Sequence, residues 1–403
     1  MDQRDHDICC SLSASGALGG DMDGQVKTKS ERVVFDGTGD FLKTVRARVQ
    51  ESLAGDAPGG DPRLLRKAAL IMVWFLGSFA LLLSVHAAWL QLILCFSYGL
   101  AASAVGFNIF HDANHGAMSS NQRVNWAIGA LASTVLGASR YLWNYKHNVL
   151  HHRLTNIHTW DDDLETRGFL RLSPEQDWKR RYLGQHLFVV LLYAVNAIEL
   201  VFVKDFVQYF TLRINPHRRI PAMSAAEKAE FWISKALYLA IFVALPFALF
   251  PAGRVVVGFL VYEITLGLSL ALVFSMAHQV ESVAFPAPQG APPTIDEEWG
   301  AHQMRTTANF ANRNRGWNWY SGGLNHQIEH HLFPSMSHTH YAAIGRVVRS
   351  TAIEFGLPYN HFETYGAALG SHYRYLRRMG ARPAEIAPAS TLDIGDMPAL
   401  PTL

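Results

Sequence analysis

Four long apolar stretches constrain this chain more than any other feature. Residues 68–85 (AALIMVWFLGSFALLLSV) and 87–110 (AAWLQLILCFSYGLAASAVGFNIF) are separated only by His86. Residues 231–250 and 255–277 are separated by Pro251, Ala252, Gly253 and Arg254. About 20 apolar residues cross the hydrocarbon core of a bilayer, so each pair predicts a transmembrane hairpin with a very short tip. A fifth run, 187–203 (LFVVLLYAVNAIELVFV), is shorter and holds Asn196 and Glu199. Basic residues flank it on both sides: Lys146, Arg153, Lys179, Arg180 and Arg181 before it, Lys204, Arg213, Arg218, Arg219 and Lys228 after it. Lys and Arg collect on the cytoplasmic side. The fifth run is therefore expected to be interfacial or re-entrant. The expectation is an all-α integral membrane protein, multi-pass, with four transmembrane helices in two hairpins and both termini cytoplasmic.

Charge agrees with this. Only 17% of residues are charged and the net charge is +2, so a nucleic-acid partner has no electrostatic support. Three cysteines (Cys9, Cys10, Cys95) are too few for a disulfide scaffold or a four-thiolate cluster. Residues 1–31 read as a disordered tail. Residues 32–67 form a pre-membrane segment in which 39–53 carries Phe41, Leu42, Val45, Val49 and Leu53 at helical spacing. That amphipathic helix lies on either the bilayer surface or the protein. The main domain is expected over 68–365, followed by a C-terminal extension, 366–403, partly disordered.

Nineteen histidines stand out in so apolar a chain. The second apolar run ends in His111-Asp-Ala-Asn-His115, two histidines at i, i+4 on one helix face, able to address one metal site. His147-Asn-Val-Leu-His151-His152 repeats the spacing with one histidine added, and Asn325-His326-Gln327-Ile328-Glu329-His330-His331 follows much later. All three boxes lie outside the spans, on one side of the expected topology. Structural zinc takes four ligands and catalytic zinc usually three, so eight or more imidazoles exceed one ion. Two ions with mainly nitrogen ligands and open positions suit iron and oxygen activation. The carboxylate-rich Glu-x-x-His pairing of soluble di-iron bundles is not present in the required places.

At these residues the sequence resembles the membrane-bound fatty acid desaturases, over about 68–365. The resemblance rests on His111-x-x-x-His115, His147-x-x-x-His151-His152, and Gln327-Ile328-Glu329-His330-His331 followed by Leu332-Phe333-Pro334. The Gln of the third box resembles the front-end subgroup, which acts between an existing functional position and the carboxyl end. KHNVLHHRLTNIHTWDDDLE (146–165) and MAHQVES (276–282) resemble linoleoyl-CoA desaturase-type members. The resemblance implies a helical cytosolic cap carrying a histidine-rich site with two non-haem irons and no further catalytic residue. O2 is then the co-substrate and a CoA- or lipid-linked fatty acyl chain the substrate, met from the surrounding membrane lipid. Electrons would come from an external ferredoxin- or cytochrome-type donor and its reductase. No cytochrome b5 motif (His-Pro-Gly-Gly) is present in this sequence, a departure from many eukaryotic front-end members.

The family also draws a ligand from the end of its last span, where His278 stands. In the third box a histidine often occupies the position of Gln327. Either Gln327 ligates through its oxygen, or neighbouring His326 substitutes for it. Asp112, Asn114, Glu281 and Glu329, with Asp161, Asp162 and Asp163, could accept hydrogen bonds from ligand N–H groups. The run Arg153, Arg167, Arg171, Lys179, Arg180 and Arg181 offers positive charge for a phosphate-bearing head group. Two other functions fit less of the pattern. One is a di-iron hydroxylase of lipid, alkane or sterol. The other is a membrane metal-binding receptor or transporter, which would need polar residues at mid-membrane depth.

Overall fold

The computed structural model describes residues 32–53 and 60–383. The tail expected over 1–31 and the last part of the expected C-terminal extension, 384–403, lie outside the described residues. Five helices among the described residues are long and apolar enough to cross a membrane: α2 (Pro62–Ser84), α3 (Ala88–Asn114), α6 (Gln185–Thr211), α7 (Ala225–Leu249) and α8 (Ala252–His278). Two of them begin on clear capping signals. Asp61 accepts the Arg63 N–H and Pro62 opens α2. Ser224 and Glu227 form a reciprocal capping box at the start of α7.

The two hairpins meet. Their tips touch where Arg254 Nη1 donates to the His86 carbonyl at 3.0 Å. Aromatic rings tie them along their length: Phe75 to Phe242 at 5.9 Å, Tyr98 to Tyr262 at 4.8 Å, and Phe79 to Phe242 at 5.1 Å between centroids. Helix α3 is the most enclosed, with 61% of its apolar window buried against 17–28% for the others. Gly99 lets it approach α8 closely, because a Cβ there would stand 2.7 Å from the Thr265 side chain. Helix α3 has 27 residues, so His111 in its last turn lies roughly 35 Å along the axis from the hairpin tip.

Helix α6 behaves differently from the other four. It packs on α8 at Gly267, where a Cβ would stand 2.6 Å from the Tyr193 carbonyl. It also holds polar residues of the cap along its length. Gln185 Nε2 donates to the Arg171 and Leu376 carbonyls (2.9 and 3.0 Å). Glu199 pairs with Arg167 at 2.9 Å, Lys204 with Asp162 at 2.8 Å, and Asp205 accepts the Ser139 N–H at 2.8 Å.

The cap is built from α1 (Phe41–Ser52), α4 (Gln122–Leu136), α5 (Arg140–Asn144) with a π-helical continuation, α9 (Trp299–Thr306), α10 (Arg315–Tyr320), α11 (Gln327–Leu332), α12 (Tyr341–Glu354) and α13 (Tyr365–Gly380). Short strands staple it. β1 (Val34–Phe35) pairs in parallel with β4 (Thr294–Ile295), and β5 (Asn309–Phe310) with β6 (His361–Phe362). β2 (Arg213–Asn215) and β3 (Arg218–Arg219) form a small hairpin. Helix α1 lies on the protein: Phe41, Leu42, Val45 and Val49 pack with Ile328, Leu332, Ile344 and Val348. The Glu298 carboxylate accepts the N–H groups of Phe41 and Leu42 (3.2 and 2.8 Å), filling the place of a capping side chain. Helix α13, within the expected extension, is well packed, with Tyr375 and Leu376 buried and Tyr375 donating to the Leu172 carbonyl.

Candidate metal centre

The three boxes and His278 converge at the cap end of α3 and α8. His111, His115, His147 and His330 have ligand atoms within 4.8 Å of one another, and so do His151, His278 and His331. His152 stands between the groups. Its Nε2 is 3.2 Å from His147 Nε2, and its ring centroid is 4.6 Å from His330 and 4.4 Å from His331.

The division of the second box departs from its sequence spacing. His147 and His151, at the i, i+4 spacing that puts two residues on one α-helical face, each join a different group. The cause is local: Tyr145–His151 is π-helical, with i→i+5 rather than i→i+4 bonding. The wider turn brings His152 Nε2 to within 3.2 Å of His147 Nε2, their rings perpendicular, while His151 lies 4.7 Å from His278 between centroids. A second π segment, Gly106–Phe110, leads into the first box.

Ring orientation is fixed from behind. His331 Nδ1 donates to Gln303 Oε1 (2.8 Å), His330 Nδ1 meets the Tyr341 hydroxyl (3.0 Å), and His151 Nδ1 faces both Asp161 oxygens (3.1 Å each). His278 Nδ1 donates to the Thr306 carbonyl at 3.4 Å, and His111 Nδ1 faces Asp112 at 3.5 Å. The opposite nitrogens are bare: Nε2 of His111, His115, His278, His330 and His331 is buried without a hydrogen-bond partner. Buried polar atoms without partners are costly, and a set of them converging is what metal ions would satisfy. The donors fit iron in type and in neutrality. Burial, then the neighbouring histidines, hold His115, His147, His152, His330 and His331 well below the ordinary histidine range. Burial pulls His151 the same way, but Asp161 and Asp163 outweigh it and leave this imidazole raised.

Other residues named from sequence lie elsewhere. His326 is buried but outside both groups, because its Nδ1 turns to Asn312 Nδ2 at 2.9 Å. Gln327 begins α11 one turn before His331 and is buried with Nε2 unpartnered. Asn114 bonds backbone and amide groups instead of an imidazole, donating to the Phe110 carbonyl and accepting from Asn144. Glu281 is drawn outward to Arg374 at 2.7 Å. Glu329 accepts from Asn309 and Tyr359 at 2.8 Å each; burial, which outweighs those bonds, pushes it up to about 7. Asp112 also accepts from His338 Nδ1 at 2.7 Å. Gln303 and Tyr341 carried no spacing signal in the sequence. Of the basic run, Arg171 spends its guanidinium on the carbonyls of Gln176, Pro174 and Met379, and Arg167 on Glu199.

The sequence is similar to those of known proteins. Residues 87–363 match the family model described as fatty acid desaturase. The chain is 35% identical over 362 residues to the sn-1 linoleoyl-lipid 6-desaturase of Synechocystis sp., covering 87% of this chain and 98% of that protein. It is 33% identical over 358 residues to the protein of the same name from Arthrospira platensis (88% and 96% covered). It is 33% identical over 351 residues to the acyl-lipid (8-3)-desaturase of Physcomitrium patens (85% and 72%).

Proposed function

The chain belongs to the fatty acid desaturase family, and on that premise we propose that it places a double bond on the carboxyl side of an unsaturated, lipid-linked acyl chain, using two non-haem irons. The observation that carries this reading is the set of buried histidines with Nε2 atoms aimed inward and Nδ1 atoms held from behind. His111, His115, His147 and His330 would hold one iron, His151, His278 and His331 the other, with His152 between. Gln327, from its place on α11, is the third-box residue closer to that role than His326. Iron, with O2 as co-substrate and electrons from an external ferredoxin- or cytochrome-type donor, supplies the oxidation that removes two hydrogens from adjacent methylenes.

The protein supplies the rest. Asp161, Gln303 and Tyr341 fix imidazole tautomer and angle, so the ligands need no reorganisation. Trp143, stacked on His147 at 4.4 Å, and the buried Phe110 wall the site with apolar surface that excludes water. The lipid-linked, front-end assignment draws on the Gln-Ile-Glu-His-His box and on the names of the relatives.

Four helices cross the membrane and both termini are cytoplasmic in this reading. Support comes from α6, whose cap contacts run from Gln185 to Asp205. A crossing α6 would make three spans between the second and third boxes and strand the third box on the far side.

Expression in a linoleate-fed host with a matched donor, followed by gas chromatography–mass spectrometry, tests the product. A new carboxyl-side cis double bond is expected. A hydroxylated chain would make the enzyme a hydroxylase, and a mid-chain bond in a saturated chain would defeat the front-end assignment.

A further inference from the structure

A cavity of about 550 Å³ opens where the start of α2 meets the cap, away from the basic run near residue 171. Its wall includes Arg63, Arg66, Lys67, Trp319, His326 and His338. Its volume falls within the range of small-molecule clefts.

Three observations describe what belongs there. The charge is of one sign: no carboxylate is among the lining residues. Arg66 is exposed and makes no ion pair among the described residues, and the Arg63 side chain pairs only with Asp61, at 2.9 Å. The level is that of a membrane surface. Leu70, on the same wall, is 62% exposed on the apolar face of α2, and Lys67 stands 5.6 Å from the Trp319 ring, as expected of interfacial residues. Finally, His326 is 4% exposed, with Nδ1 taken by Asn312 and Nε2 buried without a partner. An anion at a lipid interface meets all three conditions: the Arg66 guanidinium, the Arg63 guanidinium whose Nε alone is taken by Asp61, an ammonium, and an imidazole whose Nε2 lacks a partner.

Resting on the desaturase reading above, we propose that this cavity binds the phosphate of the glycerolipid whose acyl chain is desaturated. A short relay joins it to the metal centre. Lys67 Nζ donates to His338 Nε2 (2.8 Å), His338 Nδ1 to Asp112 (2.7 Å), and Asp112 faces His111 (3.5 Å). A headgroup held three contacts from a ligand histidine leaves only the first part of its acyl chain between cavity and irons. That geometry suits a carboxyl-side double bond.

The test uses the full-length holoprotein in detergent, with a fluorescent phosphatidic acid as probe and the variant Arg63→Gln/Arg66→Gln. Asp61 holds both the backbone N–H (2.8 Å) and the side-chain Nε (2.9 Å) of Arg63; Arg63→Gln removes the ion pair but leaves the backbone bond, so the helix keeps its cap. The variant is expected to bind the probe about tenfold or more weakly, as loss of charge-assisted hydrogen bonds implies, with iron content and melting temperature unchanged. Arg66→Lys, which keeps the charge, is expected to bind within a few-fold of the parent. Unchanged binding by the double variant would overturn the proposal. So would equal affinity of the parent for neutral diacylglycerol, or displacement of the probe by coenzyme A or inorganic phosphate as effective as by unlabelled lipid. The binding measurement needs no turnover. Loss of binding alongside a parent that makes no double bond would fault the desaturase reading and leave the phosphate site standing.

Discussion

Replacing Asp161 with Asn probes how far the candidate metal centre depends on the carboxylate that faces His151 Nδ1. Asp161 is 2% exposed, and each of its oxygens lies 3.1 Å from His151 Nδ1. The same oxygens accept the backbone N–H groups of Asn156 (2.9 Å) and Asp163 (3.0 Å). Asn keeps the shape but loses the charge, and its NH2 must face one of those N–H donors. A hydrogen bond to a buried charged group contributes about 1.5–3 kcal/mol. Independently, loss of a partner behind a ligand histidine typically weakens metal binding about 10–100-fold, which is roughly 1.4–2.8 kcal/mol. The two magnitudes agree. Iron retained against increasing chelator should therefore shift by one to two decades in Asp161→Asn. Asp177→Asn, an exposed carboxylate in the same segment, should leave the curve in place. A folded Asp161→Asn protein whose curve moves less than threefold would refute the reasoning, as would an equal shift in Asp177→Asn.

Three further outcomes are expected. His331→Ala should lower iron content whereas His326→Ala should retain it, measured by metal analysis of purified protein; the reverse would return His326 to the ligand set. Cysteines placed at exposed Lys179 and Arg213 should react with an impermeant thiol reagent from the same side of sealed vesicles, and opposite sides would sink the four-crossing topology. His372 is buried between the Gln279 carbonyl (2.7 Å) and the Tyr193 hydroxyl (2.9 Å), and burial, partly offset by the Gln279 bond, lowers it to about 4. Its folded value lies below its unfolded one, so its contribution is complete above about pH 6.5 and is lost as pH falls towards 4, by up to ~3 kcal/mol. Thermal melts of His372→Gln should accordingly lose less stability than the parent between those pH values; parallel curves would exclude this histidine as a source of acid sensitivity.

Much of the centre was legible because its chemistry is local in sequence. Each box brings two or three imidazoles within one or two helical turns, and a helix end carries His278. The division of His147 from His151 was not legible, because i, i+4 spacing predicts a shared face only where the helix is α. A π segment changes that rule without altering composition. Gln303 and Tyr341 were hidden for another reason: they reach His331 and His330 through the tertiary fold, and one buried Gln or Tyr has no periodicity to betray it. Apolar length likewise found the five long helices but could not weigh α6. Its polar anchors, Glu199 and Lys204, bond to Arg167 and Asp162, residues whose placement depends on the folded cap.

The clasp between α1 and Glu298 sets an order of events during synthesis. The N–H of Phe41 and the carboxylate that receives it are 257 residues apart. At ribosomal speeds of about 5–20 residues per second, the first helix waits roughly 13–50 s for its partner. All five of the long apolar helices, Pro62–His278, are synthesised in that interval. Residues 327–331, which complete both histidine groups, emerge later still. Both groups are therefore completed only after every long apolar helix among the described residues has been made, and a metal ion held by either full set of imidazoles would be taken up late in synthesis.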